Sequence, residues 1–364
     1  MSKKKSRKIE NLLILNYAMD SNNQVFSHQI EVVRELSQYF KNIRVITASE
    51  HFPKESPTNV QVYSSHWKND SNILNLISFY RVLRKVTRDF KNYCIFSHMA
   101  EVQSVLTIPF SFSHKIPHFL WYAHQSKSLY LRINHVFIDG IITSTQGSCP
   151  IQSKKIHVIG QGIDENIFGI KLNTNIGRNY KLTAVHVGRL DKSKGIQRII
   201  DCSIKSKQSA EFEKLLLIGA PTNDSLNYRT EIATVNSYLI ESGKLSLLGK
   251  VPRKSLPDIL TNCDLFIHSF EGSLDKSLVE ATMLGLPVVT NNAEYQRIFG
   301  AWTACHSPKT FELEQELESF IALRKRKSAA LSFEISRRRD IAINDHSLNK
   351  WISKIVQIVK GVEV

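Results

Sequence analysis

Short unbroken apolar runs alternate along the chain with longer stretches in which apolar residues recur every three or four positions. A run of four to eight apolar residues bounded by turn formers fits a strand buried on both faces, and the three-to-four spacing fits a helix with one apolar stripe. Asn11–Met19 predicts a strand, Ser27–Phe40 a helix with Ile30, Val33, Leu36 and Phe40 on one side, and Ile43–Thr47 a second strand. Similar runs at Tyr93–Phe96, Phe119–Tyr122, Gly140–Thr143 and Lys155–Ile159, with helices between, predict a parallel sheet covered on both faces. This first domain is expected to span residues 1–170.

Residues 171–180 are polar and without period, which predicts a linker. The cycle then restarts with strands at Leu182–Val187, Lys214–Ile218, Leu245–Leu248, Asp264–His268 and Pro287–Thr290. Helices are expected at Gly195–Ser206, Tyr228–Ser242, Leu256–Thr261 and Leu274–Leu284. A second domain over residues 181–345 follows, with a C-terminal helix over 346–364 that packs back on the first domain. The fold class is α/β, with two Rossmann-like domains. Ligands of such sheets bind outside the carboxyl ends of the strands, so two of them facing one another predict a ligand cleft.

Composition narrows the function classes. The 364 residues are 42% hydrophobic and 22% charged, with 15 Gly and 10 Pro, which excludes collagen-like and disordered chains. A formal charge of +15 calls for an anionic partner. That charge is spread, +8 over residues 1–170 and +7 over the rest, apart from a basic run at Met1–Lys8 that lacks the apolar stretch of a secretory signal. Five widely spaced Cys without a C-x-x-C pair argue against a disulfide framework or zinc knuckle and fit a reducing cytosol. No apolar run reaches the length that spans a bilayer.

Two segments carry candidate chemistry. In GRLDKSKG, Gly188–Gly195, a strand-to-helix turn presents Arg189 and Lys194 where a diphosphate can sit. In EGSLDKSLVE, Glu271–Glu280, Gly272 and Ser273 are expected at a helix N-terminus, where backbone N–H groups attract anions, and Glu280 is placed to accept ribose hydroxyls. Each segment also reads as ordinary structure, a solvated basic loop and an N-cap followed by a solvated Glu. His98 and His124 follow strand-like runs and so fall at a sheet's carboxyl edge; the His114/His118 pair has no third ligand nearby, and no metal site is expected. No phosphate-binding G-x-x-x-x-G-K-[ST], complete G-x-G-x-x-G, G-x-S-x-G or D-x-D occurs, which weakens ATPase, dehydrogenase, serine-hydrolase and metal-diphosphate readings.

GRLDKSKG, LLLIGA and LSLLGKVPRKSLPDILTNCDLFIHSFEGSLDKSLVEATMLGLPVVT together resemble the carboxyl domain of retaining glycosyltransferase family 4. NLLILNYAM, FSHQIEVVRELSQYFKNIRVIT, the HM at His98, LWYAH at His124 and IHVIGQGIDENIF resemble its amino domain. The resemblance implies a GT-B fold and transfer of a sugar from a nucleotide-diphosphate donor with retention. It assigns Arg189 and Lys194 to the donor diphosphate, Glu280 to the ribose, and Glu271 with the amides after Gly272 and Ser273 to the donor sugar. It matches His124 to the amino-domain active-site histidine and puts His28, with His98, on the acceptor side. The sequence departs from the pattern twice: eight residues, not seven, separate Glu271 from Glu280, and Ser21-Asn22-Asn23-Gln24 stands where the family has a glycine-rich turn.

The resulting expectation is a cytosolic, metal-independent hexosyltransferase, peripheral on the inner membrane, with no cofactor beyond its nucleotide-sugar substrate. Its partners are that donor, a glycan or lipid-linked acceptor of surface polysaccharide synthesis, and an anionic membrane surface. A GT-B protein that binds nucleotide-sugar without turnover is the alternative; a nucleic-acid-binding protein lacks any motif of that kind.

Overall fold

The computed structural model describes residues 8–20, 28–48, 56–67, 72–170, 181–221, 225–303, 312–326 and 329–361. The Ser21–Gln24 turn, the 171–180 linker and most of the basic run at Met1–Lys8 lie outside them. Two compact units form, residues 1–162 with 348–364, and residues 163–347.

The first unit is a seven-stranded sheet of β1 (Asn11–Asn16), β2 (Asn42–Thr47), β3 (Val60–Ser64), β4 (Tyr93–His98), β5 (His118–Trp121), β6 (Gly140–Thr143) and β7 (Ile156–Val158), in the order β3-β2-β1-β4-β5-β6-β7. All six pairings are parallel. The central strands β1 and β4 are buried at nearly every position because helices cover both of their faces. On one of those faces, helices His28–Ser37 and Leu348–Lys360 enclose Leu12, Ile14, Phe96 and Trp121 with Leu36, Trp351 and Ile355. On the other, helix Asn72–Thr87 supplies Phe79, Leu83 and Val86 against Leu13, Leu15 and Ile95.

The second unit repeats the pattern with β8 (Leu182–Val187), β9 (Phe212–Ile218), β10 (Leu245–Gly249), β11 (Leu265–His268) and β12 (Val288–Thr290), ordered β10-β9-β8-β11-β12 and parallel throughout. In both units strand order reverses beside the first strand, between β1 and β4 and between β8 and β11. Such a switch point opens a crevice outside the strands' carboxyl ends, so the topology picks out the turn after β8 and the turn after β11 as the place for a ligand.

Of the boundaries that differ from the sequence expectation, three bear on the units and the site. The first unit closes at Gly162, not near Ile170, because the Ile163 N–H donates to His346 O at 2.9 Å and Ile163 and Phe168 are buried in the second unit's core. The helix expected over Tyr228–Ser242 is two, Tyr228–Val235 and Ser237–Glu241. Between them the buried Asn236 amide turns back to Ile232 O at 2.8 Å and to Gln197 Oε1 at 3.0 Å, taking the backbone to φ −120°. The helix expected from Leu274 begins at Lys276, with Asp275 as its N-cap.

Candidate functional site

Lys194 lies in the single turn Lys192–Lys194 between β8 and the next helix. The turn ends on Gly195 at φ +60°, where a β-carbon would come 2.7 Å from Ser269 Oγ; glycine alone lets this turn close against the end of β11. Lys194 is thereby buried, and its ammonium forms an ion pair with Asp275 and sits 3.8 Å from the centre of the Phe270 ring. Asp275 also receives a hydrogen bond from His268 Nε2 at 3.2 Å. The tautomer follows from the other nitrogen: Phe270 N–H donates to His268 Nδ1 at 3.4 Å, so Nε2 carries the proton. Burial pushes the Asp275 carboxyl up, but Lys194 and the His268 contact outweigh it and hold that carboxyl well below the usual carboxylate range. Burial keeps His268 itself below the ordinary histidine value, hence neutral.

This pairing has a consequence for the helix Lys276–Leu284. An Asp at the N-cap normally accepts from the first-turn amides, yet among the described residues Asp275 makes no such bond, its carboxylate being drawn to Lys194 and His268. The N-terminus of this nine-residue helix therefore has no side-chain cap from Asp275 and lies close in sequence to the carboxylate that pairs with a buried ammonium. The Ser277 Oγ in the same turn is buried and, among the described residues, has no hydrogen-bond partner. Arg189, half exposed, stands earlier in the Gly188–Gly195 turn with its Nε 3.4 Å from Asp191. A buried cation, a guanidinium in the same strand-to-helix turn and a helix N-terminus without a side-chain cap, all at a switch point, are chemistry suited to an anion with more than one charge.

The other expected residues are placed differently. Gly272 and Ser273 precede the helix and are not part of its first turn. The Asn292 amide holds them, donating to Gly272 O at 3.1 Å and Ser273 O at 3.3 Å, and a β-carbon on Gly272 would strike the Phe270 ring at 2.2 Å. Of Ser273, Ser277 and Glu280, only Ser277 and Glu280 lie on the helix. Glu271 is exposed and engaged, accepting from Asn291 Nδ2 at 2.7 Å and pairing with Arg198 Nη1 at 3.3 Å. Glu280 is buried and accepts from Arg253 Nη2 at 2.6 Å, while the Arg253 guanidinium lies 5.3 Å from the centre of the Phe168 ring.

In the first unit, His28 and His98 meet edge to face with ring centroids 5.7 Å apart. His98 is an interior residue at 2% exposure, enclosed by Phe96, Trp121 and Trp351, which corrects the expectation of a side chain open at the sheet edge. Buried Gln29 ties the strand ends together, accepting from the Ala18 N–H at 3.3 Å and donating to His98 O at 3.4 Å. His124 is exposed and packs edge-on against Tyr122. His114 ends a helix and His118 opens β5, so the two do not share a helical face; His118 is buried among Ser97, Ser104 and Ser111. Among the described residues no three His, Cys, Asp or Glu side chains converge.

Asp275, His268 and His186 are the site residues that sequence reasoning missed. The fully buried His186 donates from Nδ1 to Ile267 O at 3.0 Å and lies 5.6 Å from His268, ring centre to ring centre. Burial pushes it down to about 3. The available signal was positional: Asp275 opens a helix after His268 closes a strand.

Residues 181–306 match the family model described as glycosyl transferases group 1. No curated protein matches the chain. Among solved structures, Anabaena Alr3699/HepE in complex with UDP-glucose is similar at 16% identity and TM-score 0.72, over 97% of this chain and 100% of that one. Sucrose-phosphate synthase from Thermosynechococcus elongatus is similar at 11% identity and TM-score 0.74, over 97% and 99%. The lipopolysaccharide outer core galactosyltransferase WaaB is similar at 11% identity and TM-score 0.65, over 96% and 99%. The likeness is one of fold, the GT-B pairing of two Rossmann-like domains.

Proposed function

We propose that this chain is a retaining, metal-independent hexosyltransferase that uses a nucleotide-diphosphate sugar. The observation that carries the reading is the buried Lys194, held by Asp275 at the start of the helix Lys276–Leu284 and sharing its turn with Arg189, inside the segment that matches the group 1 glycosyltransferase model. The UDP-glucose bound by the Anabaena neighbour supports a nucleotide-sugar as the ligand of such a fold.

In this reading the donor's diphosphate takes Lys194, Arg189 and the first-turn amides, and the ribose hydroxyls meet Glu280, whose other partner is Arg253. Glu271 faces the donor sugar with its carboxylate already oriented by Asn291 and Arg198. The bond from the anomeric carbon to the phosphate oxygen breaks while the acceptor oxygen bonds to that carbon on the same face, and the departing phosphate takes the acceptor's proton. Fixed positive charge where the leaving group develops its negative charge is the main lever, because it needs no reorganisation during the reaction. The exposed His124 serves the reacting sugar and His28 the acceptor; buried His98 acts through His28 as a positioning residue. The acceptor is a glycan or lipid-linked glycan of surface polysaccharide synthesis, met at the cytosolic face of the membrane.

A thermal-shift panel of UDP-, GDP- and ADP-sugars tests the donor site, since a ligand at 100 times its dissociation constant stabilises by about 2.7 kcal/mol. The stabilising donor, incubated with glycan acceptors in excess EDTA, is expected to yield product of unchanged anomeric configuration by NMR. No shift with any nucleotide-sugar overturns the donor site. Intact donor after long incubation leaves a binding protein, and activity that requires added manganese removes the metal-independent mechanism.

A further inference from the structure

The helix Asn72–Thr87 buries Asn75, Phe79, Leu83 and Val86 in the first unit and turns a second apolar group outward. Ile73, Leu74 and Ile77 are 73%, 66% and 51% exposed, with Tyr80 beside them. At 3.6 residues per turn these four and the exposed Arg81, Arg84, Lys85 and Arg88 fall within an arc of about 140°, opposite the buried side. They are segregated along the axis: the apolar side chains occupy the first two turns, and the cations follow, Arg84 lying about 16 Å beyond Ile73. The helix contains no Asp or Glu, and the nearest carboxylates in sequence are Asp70 and Asp89, each two positions beyond an end. The outer side of a helix that covers a sheet is ordinarily polar, so three aliphatic side chains more than half exposed on consecutive turns call for a partner.

We propose that this outward face docks on an anionic lipid bilayer, the Ile73–Ile77 end entering the boundary between headgroups and acyl chains and the Arg81–Arg88 end lying over lipid phosphates. Charge complementarity selects the occupant. An apolar tip alone would suit a second protein, but four cations in direct continuation, with no carboxylate in the helix, match a surface of phosphates. Tyr80 stands at the junction of the two halves, the depth at which amphipathic rings collect in membranes. Among the described residues no helix is long and apolar enough to cross a membrane, so the contact is made from one side. The inference deepens the reading of a lipid-linked acceptor by assigning the surface that brings the enzyme to it.

The full chain is sedimented with vesicles of phosphatidylcholine alone or equimolar with phosphatidylglycerol, at low and high salt. Wild type is expected to favour the anionic vesicles and to be released by salt. The Arg81/Arg84/Lys85/Arg88→Gln variant is expected to lose about a hundredfold or more, each of the four cations near such a surface being worth roughly fivefold. The Ile73/Leu74/Ile77→Ser variant is expected to lose affinity while its residual binding stays salt-sensitive. All eight side chains of the face are exposed, so both variants should melt as wild type does. Equal wild-type binding to the two vesicle types, or either variant binding like wild type, overturns the proposal. So does a wild-type dimer that the serine variant dissolves, which would give the face to a second copy. Turnover of a soluble acceptor separates the two readings: absent docking with transfer intact removes only this surface, and intact docking without transfer removes only the enzymatic reading.

Discussion

Asp275 and Lys194 are 81 positions apart, and no local pattern announces their pairing. The sequence displayed Arg189 and Lys194 because a strand, a turn and a helix in succession define a carboxyl edge; it hid Asp275 because a capping residue looks the same whether its carboxylate faces its own helix or a distant ammonium. Glu271 was conspicuous beside a glycine, yet its carboxylate is held by Asn291 and Arg198, contacts set by the packing of β12 and a neighbouring helix. Two expectations follow. Arg189→Ala and Lys194→Ala should each lower kcat/KM by about 10²–10³-fold, the loss typical of one preorganised charge-stabilising donor, with the double variant falling short of the product of the two. Near-normal kinetics in both would place the diphosphate elsewhere. Asp275→Asn leaves a buried ammonium without its counter-charge and should cost about 2–3 kcal/mol, below the 3–5 typical of a fully buried pair because Asp275 is partly exposed. On the proposed donor site a nucleoside diphosphate would replace the missing charge, so calorimetric melts should show a larger ligand-induced rise in Tm for this variant than for wild type.

Among the elements, the buried parallel strands were legible because runs such as NLLILN and YCIFSH need no partner to declare themselves. The edge strand β3, VQVYS, was not, since only one of its five residues is fully buried and its alternation is short. Strand β5 carries a titrating group whose effect belongs to its packing against the helix Glu101–Ser113. Burial between the two pushes His118 down to about 3 from an ordinary 6.5. Between those values the unfolded chain binds a proton that the folded chain refuses, so stability falls as pH drops below 6.5, by about 1.4 kcal/mol at pH 5.5 for this one group, and is untouched above pH 7. Melts of wild type and His118→Gln over pH 5–8 check this: the acid-side slope should be shallower in the variant by about one proton, and parallel curves would show that His118 is charged in the fold.

Over the whole molecule, two α/β units were readable from the restart of the apolar cycle after residue 180. Their true division, at 162 and again at 347, was not, because chain continuity says nothing about which core a connecting segment joins. The helix Leu348–Lys360 belongs to the first unit, where the Trp351 indole meets the Trp121 ring with centroids 4.9 Å apart and covers His98 at 5.9 Å. Trp351→Ala should cost that unit about 3–5 kcal/mol, the range for deleting a buried aromatic, while leaving the nucleotide-induced shift of the second unit unchanged. A lost nucleotide shift would mean the helix serves the donor site as well. The same connectivity reaches into biosynthesis. The strands of the first unit leave the ribosome early, but the helix Leu348–Lys360, which shares the cover of one face of their sheet with His28–Ser37, comes only after positions 163–347 have been made. At 5–20 residues per second those 185 positions take about 10–40 s, during which Leu12, Ile14, Phe96 and Trp121 await the part of their cover that Trp351 and Ile355 supply, while the uninterrupted second unit is free to fold first.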